Sequence, residues 1–183
     1  MAKRKSLDLI VLLMISVFVI TASALVYYSL EMRTTATITY SKVQFDTGAD
    51  WSGLESGSSL SPDKTYVFLN ITAYPNATLT YDQPLVINNT DSAAHMVRFR
   101  HVSITPNATA SVSNFTFINF TLNGVDFDYT TTGDNWNAPT DMTYQSLLGT
   151  TQWDVKIETK AAAGATTDGS VTCTIVIALD VQE

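Results

Sequence analysis

The stretch that decides the fold is FTFINFTL-NG-VDFDY, residues 115–129, in which two alternating segments flank an Asn-Gly pair. Apolar and polar side chains alternate on both sides of this pair, and that period is typical of β-strands. Asn123 and Gly124 both tolerate a positive φ, which makes the pair the strongest sequence signal for a two-residue turn. The stretch therefore predicts an antiparallel β-hairpin.

Similar alternating runs follow one another along the rest of the chain. They are residues 65–72, 84–88, 95–104, 153–158 and 171–181. The last run alternates most cleanly, so we expect it to lie centrally in a sheet. The intervening segments read as loops, at residues 46–64, 130–149 and 160–170. No persistent helical stripe follows the N-terminal region. The pattern predicts an all-β fold over residues 41–183, a single antiparallel β-sandwich of about seven to nine strands, jelly-roll or Ig-like.

The N-terminal region has the parts of a secretion signal. Lys3-Arg4-Lys5 precedes an uncharged apolar run at residues 9–20, and Ala22-Ser23-Ala24 supplies a small-x-small cleavage site. Together they predict a hydrophobic leader helix and a signal peptide over residues 1–24, with Ala22 and Ala24 at the cleavage site. An alternative stays open, because residues 9–28 carry no charge and are long enough to cross a bilayer. Residues 9–30 would then be a retained membrane anchor, with the N-terminus in the cytoplasm.

Residues 25–40 alternate for longer than a strand in a compact domain usually runs. The apolar side chains in the first half are Val26, Tyr28, Leu30 and Met32. At about 3.3 Å per residue the strand would reach roughly 50 Å, whereas typical strands have about 5–6 residues. One interpretation is two consecutive strands with a break at Thr34-Thr35. The other is an N-terminal arm, a candidate donor strand whose four apolar side chains enter a neighbouring subunit.

The mature chain is acidic. Removal of residues 1–24 leaves 159 residues with seven basic and sixteen acidic side chains, a net charge near −9. Phosphate-rich partners need a basic patch, so the composition argues against nucleic acid and anionic membrane surfaces. We expect no nucleic-acid partner, and contact with a membrane only through the leader.

Cys173 is the only cysteine, which excludes an intrachain disulfide. It shares a predicted strand face with Val171, Ile175, Ile177 and Leu179. This placement predicts a buried and inert thiol, because a reactive one needs an accessible site and a base.

The residues of catalytic type form no recognisable centre. His95 and His101 lie six residues apart on one predicted strand, roughly 20 Å by strand rise, which is too far to share a metal. Each is expected to be a surface or half-buried polar residue. The chain lacks zinc-protease, serine-hydrolase and phosphate-loop motifs, and no His or Met follows Cys173 as a blue-copper site requires. We therefore expect no enzymatic activity and no cofactor.

An acidic group surrounds the loop after the predicted hairpin. Its members are Asp126, Asp128, Asp134 and Asp141, and hard oxygen ligands of this kind could bind calcium. Their spacing matches no standard calcium loop, and Asp126 and Asp128 alternate with aromatic residues as an exposed strand face would. Acidic solvation is the favoured interpretation, and no metal is expected.

The chain carries six Asn-x-Ser/Thr sequons among its ten asparagines. Their acceptor residues are Asn70, Asn76, Asn88, Asn107, Asn114 and Asn119. All six lie in the mature chain, and such motifs are glycan acceptors on exported proteins. The sequence therefore predicts that several carry glycan, although asparagine and threonine are also common in turns and on exposed strands.

Three segments carry a family resemblance. They are SKVQFDTG at residues 41–48, LSPD at residues 60–63 and LVINNTDS at residues 85–92. In this order the chain resembles the TasA/camelysin family of biofilm matrix and pilus proteins, including archaeal bundling pilins. The turn at residues 60–63 lacks the family's Gly, and the Asn segment ends without one. The resemblance implies a jelly-roll subunit that polymerises by donating its N-terminal strand to the next subunit.

Two functional hypotheses follow. The first is an extracellular structural subunit of a pilus or biofilm-matrix filament, a homopolymer assembled by donor-strand complementation at the cell surface. The second is a membrane-anchored β-sandwich binding module of the cell envelope, with residues 9–30 retained.

Overall fold

The computed structural model of the chain describes residues 41–106, 112–133, 135–169 and 171–182. Within these ranges the only helical turns are two 3-10 segments, Trp51–Gly53 and Val112–Asn114, and no α-helix occurs. The strands are β1 (Val43–Thr47), β2 (Ser59–Leu60), β3 (Val67–Phe68), β4 (Thr78–Asn89), β5 (His95–Pro106), β6 (Phe115–Leu122), β7 (Val125–Thr132), β8 (Asn135–Asn137), β9 (Gln145–Leu147), β10 (Gln152–Ala161) and β11 (Cys173–Gln182).

These strands form a six-stranded sheet in the order β1-β4-β10-β6-β7-β8 and a three-stranded sheet in the order β11-β5-β9. The short strands β2 and β3 pair with each other. Every pair of these strands is antiparallel. The predicted all-β class with antiparallel sheets is therefore confirmed, and the arrangement is consistent with a β-sandwich.

The predicted hairpin is present at the expected residues. Leu122 lies opposite Val125, and the register continues to Phe117 opposite Thr130. Asn123 and Gly124 have φ values of 49° and 76°, as a two-residue hairpin turn requires. The Asn123 side chain donates a hydrogen bond of 2.8 Å to Gln145 in β9, so the turn also contacts the other sheet.

One core lies between the two larger sheets, because their alternating side chains meet there. Val97 and Phe99 of β5 and Phe127 and Tyr129 of β7 are all buried. The rings of Phe99 and Phe127 lie 5.9 Å apart between centroids, which joins the three-stranded sheet to the six-stranded one. Further buried members of the cluster are Val43, Tyr81, Leu85, Ile87, Ile118, Leu122, Met142, Leu147, Val155 and Ile157.

The expectation that the last strand lies centrally is wrong for the described strands. β11 begins at Cys173 rather than at residue 171, and β5 is its only described neighbour. Its alternation reflects an inner face that packs against the core and an outer face that does not. A period of two reports which face is buried, and it carries no information about how many edges are paired.

The predicted strand at residues 65–72 is also largely wrong. Only Val67 and Phe68 join a ladder, opposite Leu60 and Ser59. Val67, Leu69 and Ile71 nevertheless pack against the core as the alternation suggested. One face of the segment therefore packs against the core, but most of its backbone joins no described β-ladder.

Two predicted loops contain short strands. The segment 46–64 includes β2, and the segment 130–149 includes β8, β9 and the end of β7. Each of these short strands has two or three residues, too few for the alternation to be recognised in the sequence.

The predictions for the N-terminal region lie outside the described residues. They include the leader at residues 1–24, the anchor at 9–30 and the arm at 25–40, with Ala22, Ala24, Val26, Tyr28, Leu30 and Met32. In the part of the chain that the structure does describe, no helix is long and apolar enough to span a membrane.

Gly149 provides a test of this fold. A Cβ added there would lie 2.0 Å from the backbone oxygen of Ser92, so the backbone of one of the two segments must shift. We expect Gly149→Ala to lower the free energy of unfolding by roughly 1–3 kcal/mol, as overpacking does. Gly53→Ala is the matched control, because nothing lies within 4 Å of its added Cβ. Urea unfolding of both variants measures the difference, and equal stabilities would contradict the described approach of the two segments.

Candidate assembly surface

The free side of β11 is the most distinctive surface of the described domain. β11 pairs with β5 along its whole length, from Cys173 opposite Pro106 to Gln182 opposite Met96. No other described strand pairs with it. An edge strand presents a row of unpaired N–H and C=O groups, and ten residues extend it over roughly 33 Å. We call this side of Cys173–Gln182 the β11 edge.

The β11 edge carries few of the devices that usually protect an exposed strand: its one charged residue, Asp180, is paired with Arg98 and Arg100, and the extra residue of its bulge, Val102, lies on β5. Its sequence, CTIVIALDVQ, contains no lysine, arginine or proline. The other edges of the described sheets are shorter, since β1 has five residues and β8 and β9 have three each. β1 is also partly covered, because Phe45 donates its backbone N–H to the oxygen of Lys64 at 2.9 Å. β11 is therefore the longest edge strand of the described sheets, and no described strand pairs with its outer side.

The inner face of β11 is less buried than that of its neighbour. Val97 and Phe99 of β5 are 0% and 4% exposed. Ile175, Ile177 and Leu179 of β11 pack against the same core but are only half-buried. Burial thus decreases from β5 to β11, which is the pattern of a core that continues to an open side.

The outer face next to the β11 edge presents apolar side chains. A bulge separates the pairs that β5 forms with Val176 and Ile177 and leaves Val102 without an opposite residue. Val102 is 49% exposed and Val176 is 43% exposed. Val176 lies on the edge strand itself and Val102 on the adjacent β5, and exposed valines there favour contact with another strand, because β-branched side chains pack well on a pleated surface.

Two arginines of β5 hold the outer face of β11 through one carboxylate. Arg98 Nη2 lies 3.1 Å from Asp180 Oδ2, and Arg100 Nε lies 2.9 Å from the same oxygen. The guanidinium of Arg98 also lies over the ring of Tyr144, 4.6 Å from its centroid. Hydrogen bonds from Arg100 and then Arg98 hold the pKa of Asp180 below its usual value. This cluster, the Arg98–Arg100–Asp180 clamp, fixes β11 to β5 on the side away from the core.

A second polar cluster lies where the described domain begins. Asp91 Oδ2 is 3.1 Å from Lys42 Nζ and 3.1 Å from His95 Nε2. The hydrogen bond with Lys42, followed by that with His95, lowers the pKa of Asp91. The backbone oxygen of Lys42 accepts two hydrogen bonds of 2.8 Å from Thr90. The cluster therefore anchors the backbone two residues after the predicted arm ends.

The side chain of Asn89, at the end of β4, adds further hydrogen bonds beside the Lys42–Asp91–His95 cluster. Its side chain is fully buried, and its Nδ2 donates to the backbone oxygens of Ala93, Leu147 and Leu148. Its Oδ1 accepts the backbone N–H of Asp91. One amide thus ties the end of β4 to β9 across the two sheets.

The histidines occupy separate networks on the inner face of β5. His95 is 3% exposed, so the expectation that it is a surface or half-buried residue is wrong. It is buried because Asp91, in the tight corner before β5, supplies a polar partner inside the fold. His101 is half-buried, as expected, and its Nδ1 lies 2.9 Å from the hydroxyl of Tyr129. Burial raises the pKa of Tyr129, so this hydroxyl stays protonated.

The predicted acidic group is divided by the fold. Asp126 and Asp128 lie on the exposed face of β7, as the alternation predicted, whereas Asp141 lies near Arg98 at 3.8 Å. Asp134 lies outside the described residues. No group of three or more His, Cys, Asp or Glu side chains suited to a metal occurs in the described ranges.

The sequon asparagines occupy different settings. Asn70 and Asn76 are exposed and lie before β4, Asn88 is half-buried within β4, Asn114 ends a 3-10 helix and Asn119 lies in β6. Asn107 lies outside the described residues. The four proposed donor-strand contacts and the predicted cleavage site also lie outside the described residues.

Neither the β11 edge nor the Arg98–Arg100–Asp180 clamp was predicted from sequence. The alternation of Arg98 and Arg100 with buried residues signalled an outer strand face. Asp180, however, is separated from Arg100 by 80 positions. Only the register of β5 with β11 brings it there.

The sequence matches no protein-family model, and comparison with curated proteins gives no significant match. The resemblance to the TasA/camelysin family therefore stays a prediction.

The clamp predicts a pH-dependent stability. Because the pKa of Asp180 in the folded protein lies below the unfolded value of about 3.9, its contribution is present above that pH. It is lost as the pH falls through the folded-state pKa. We expect Asp180→Asn to reduce stability at pH 7 by about 0.5–1 kcal/mol, as for a partly exposed pair. The difference from wild type should shrink between pH 5 and pH 2, measured by urea unfolding.

The matched control is Asp82→Asn, because Asp82 is an exposed carboxylate of β4 that forms no ion pair within the described residues. It should change stability little at any pH. A deficit of Asp180→Asn that stays constant down to pH 2 would show that the charge of Asp180 does not stabilise the fold.

Cys173 is half-buried rather than buried as predicted, and it should still react slowly in the folded protein. Burial raises the pKa of its thiol to about 11, whereas a free cysteine has a pKa of about 8.5. At pH 8 the folded chain therefore carries on the order of a hundredfold less thiolate, the reactive species. A disulfide reagent should modify Cys173 far faster in urea than in buffer. Equal rates would show that β11 does not shield this side chain.

Proposed function

We propose that the protein is an extracellular structural subunit of a pilus or biofilm-matrix filament, assembled by donor-strand complementation onto the β11 edge. The observation that carries the proposal is the half-burial of Ile175, Ile177 and Leu179 beside a long unprotected edge. A strand added there would extend the three-stranded sheet and cover the open side of the core.

The proposed donor is the arm at residues 25–40 of another copy. Its apolar side chains Val26, Tyr28, Leu30 and Met32 alternate with polar ones, so one face can enter the core while the backbone pairs with β11. Burial of each side chain would contribute roughly 1.5–3 kcal/mol before the cost of ordering the arm. A head-to-tail contact of this kind does not close on itself, and it produces a filament.

The type of β-fold is also part of the proposal. We propose a single sandwich of the jelly-roll or Ig-like type, supported by two antiparallel sheets with one shared core. In the six-stranded sheet β10 lies between β4 and β6, so strands distant in sequence are neighbours, as in Greek-key connections. Such a subunit needs neither a cofactor nor a catalytic group.

The signal peptide and the export that follows from it are part of the proposal. Mass spectrometry of the protein from its native host gives the mature N-terminus directly. Leu25 as the first residue fits a secreted subunit with a free donor arm. Retention of residues 9–30 would instead favour the membrane-anchored binding module.

A charge on the β11 edge should block assembly without unfolding the subunit. We expect Val176→Lys to abolish filaments in electron micrographs of the chain beginning at Leu25, because a lysine at the pairing edge opposes strand addition. Val176 is 43% exposed, so the urea midpoint should change little. Val125→Lys is the matched control, since Val125 is 41% exposed in the other sheet and should leave filaments intact.

Removal of residues 25–33 should also abolish filaments while leaving a folded domain, and Tyr28→Asp with Leu30→Asp should act alike. The two defects are complementary: Val176→Lys can donate but not accept, and the truncated chain can accept but not donate. An equimolar mixture should therefore give heterodimers, without filaments. Filaments from Val176→Lys alone, or unfolding on truncation, would exclude this mode of assembly.

A further inference from the structure

The five described sequons differ in whether their two reacting groups are free. An N-glycan acceptor needs the amide of its asparagine, and the hydroxyl two residues later is what distinguishes a sequon from other sequences. A transferase must therefore reach both groups. In a folded chain, an amide or hydroxyl that is already hydrogen-bonded within the protein must first give up that bond.

Four of the five sequons have at least one of these groups engaged. Asn70 Nδ2 donates to the oxygen of Ser56 at 2.9 Å, and its partner Thr72 donates to Glu55 at 2.8 Å. In the sequon of Asn88, Thr90 donates to the oxygen of Lys42 at 2.8 Å, and Asn88 itself lies between β1 and β10.

The remaining two engaged sequons lie around β6. Asn114 Oδ1 accepts the backbone N–H of Thr166 at 2.8 Å. In the sequon of Asn119, Thr121 donates to Asp126 at 2.7 Å, and Asn119 lies between Glu158 and Asp128 of the adjacent strands. Modification of Asn119 would need local opening of a central strand of the six-stranded sheet.

The sequon of Asn76 differs from the other four in both its amide and its hydroxyl group. The side chains of Asn76 and Thr78 are exposed, and neither side chain forms a hydrogen bond with any of the described residues. Asn76 lies between Tyr74 and Ala77, which form an isolated bridge, and its φ of 59° turns the chain sharply before β4. This conformation favours asparagine or glycine and presents the side chain at the tip of a turn.

We propose that Asn76 is the preferred N-glycan acceptor among the described sequons, selected by the fold rather than by the sequon sequence. The proposal rests on the export included in the proposed function, but not on filament assembly. The donor would be a lipid-phosphate-linked oligosaccharide. Asn76 Nδ2 bonds to the anomeric carbon, the bond from that carbon to the phosphate oxygen breaks, the lipid phosphate leaves with the electron pair, and one amide proton is released.

The position of Asn76 is compatible with assembly. The turn adjoins the end of β10, where Ala161 donates its backbone N–H to the oxygen of Tyr74 at 3.1 Å. It therefore belongs to the six-stranded sheet, whereas the β11 edge belongs to the other one. A glycan on Asn76 is thus not attached to the strand that would accept the donor arm.

The test compares the folded full-length protein with its own peptides. Purified protein and synthetic peptides of residues 70–82 and 113–125 are incubated with a single-subunit oligosaccharyltransferase that modifies both peptides, together with a lipid-linked oligosaccharide. Peptide mass spectrometry then follows each sequon. In the folded chain we expect Asn76 to be modified at least about tenfold faster than Asn70, Asn88, Asn114 or Asn119, because these require local opening.

Three variants separate acceptor chemistry from turn structure. Asn76→Gly keeps the positive φ and removes the amide, and Thr78→Val removes the hydroxyl, so both should lose the fast modification. Thr78→Ser should retain it. The proposal is overturned if Asn76 stays bare in the folded chain, or if any other described sequon is modified as fast. Filament formation, scored separately by electron microscopy, does not enter this result.

Discussion

The contact between the inner faces of β5 and β7 is the constraint on which the remaining structure depends. Phe99 packs on Phe127, and His101 shares a hydrogen bond with the buried Tyr129. β5 is the middle strand of the three-stranded sheet, so this contact positions that whole sheet over the six-stranded one. β9 is additionally held through Asn89 and Asn123. β11 is held through β5, by the ladder between them, the Arg98–Arg100–Asp180 clamp and partial packing on the core.

This arrangement is the basis of the proposed intermolecular contact. β11 has one described neighbour, so no described strand pairs with its other backbone groups, and its half-buried inner side chains retain apolar surface that a donor strand would cover. The clamp secures β11 from the outer face without occupying the edge. The domain therefore holds β11 in an extended conformation, so the proposed pairing would not have to order this strand.

Tertiary structure also gives the sequons different surroundings, although their short motifs are nearly identical in sequence. Hydrogen bonds formed by the fold engage the hydroxyls of Thr72, Thr90 and Thr121, while Thr78 stays free. Residues distant in sequence supply the partners of Thr72 and Thr90, and Asp126, which lies opposite Thr121 on β7, supplies that of Thr121. Under the proposed acceptor selection, long-range register would largely decide which of these local motifs reacts.

Sequence alone determined the all-β class, the hairpin at Asn123-Gly124 and most of the long strands, because alternation and turn chemistry are local properties. It also predicted the exposed face of Asp126 and Asp128, and the expectation of a surface or half-buried histidine was confirmed for His101. Tertiary structure decided the rest. It placed β11 at an edge, reduced the run at residues 65–72 to a two-residue strand, buried His95 beside Asp91 and brought Asp180 to Arg98 and Arg100. The physical reason is that a period of two records which face meets the core, whereas strand neighbours, edges and ion pairs depend on pairing between segments far apart in the chain.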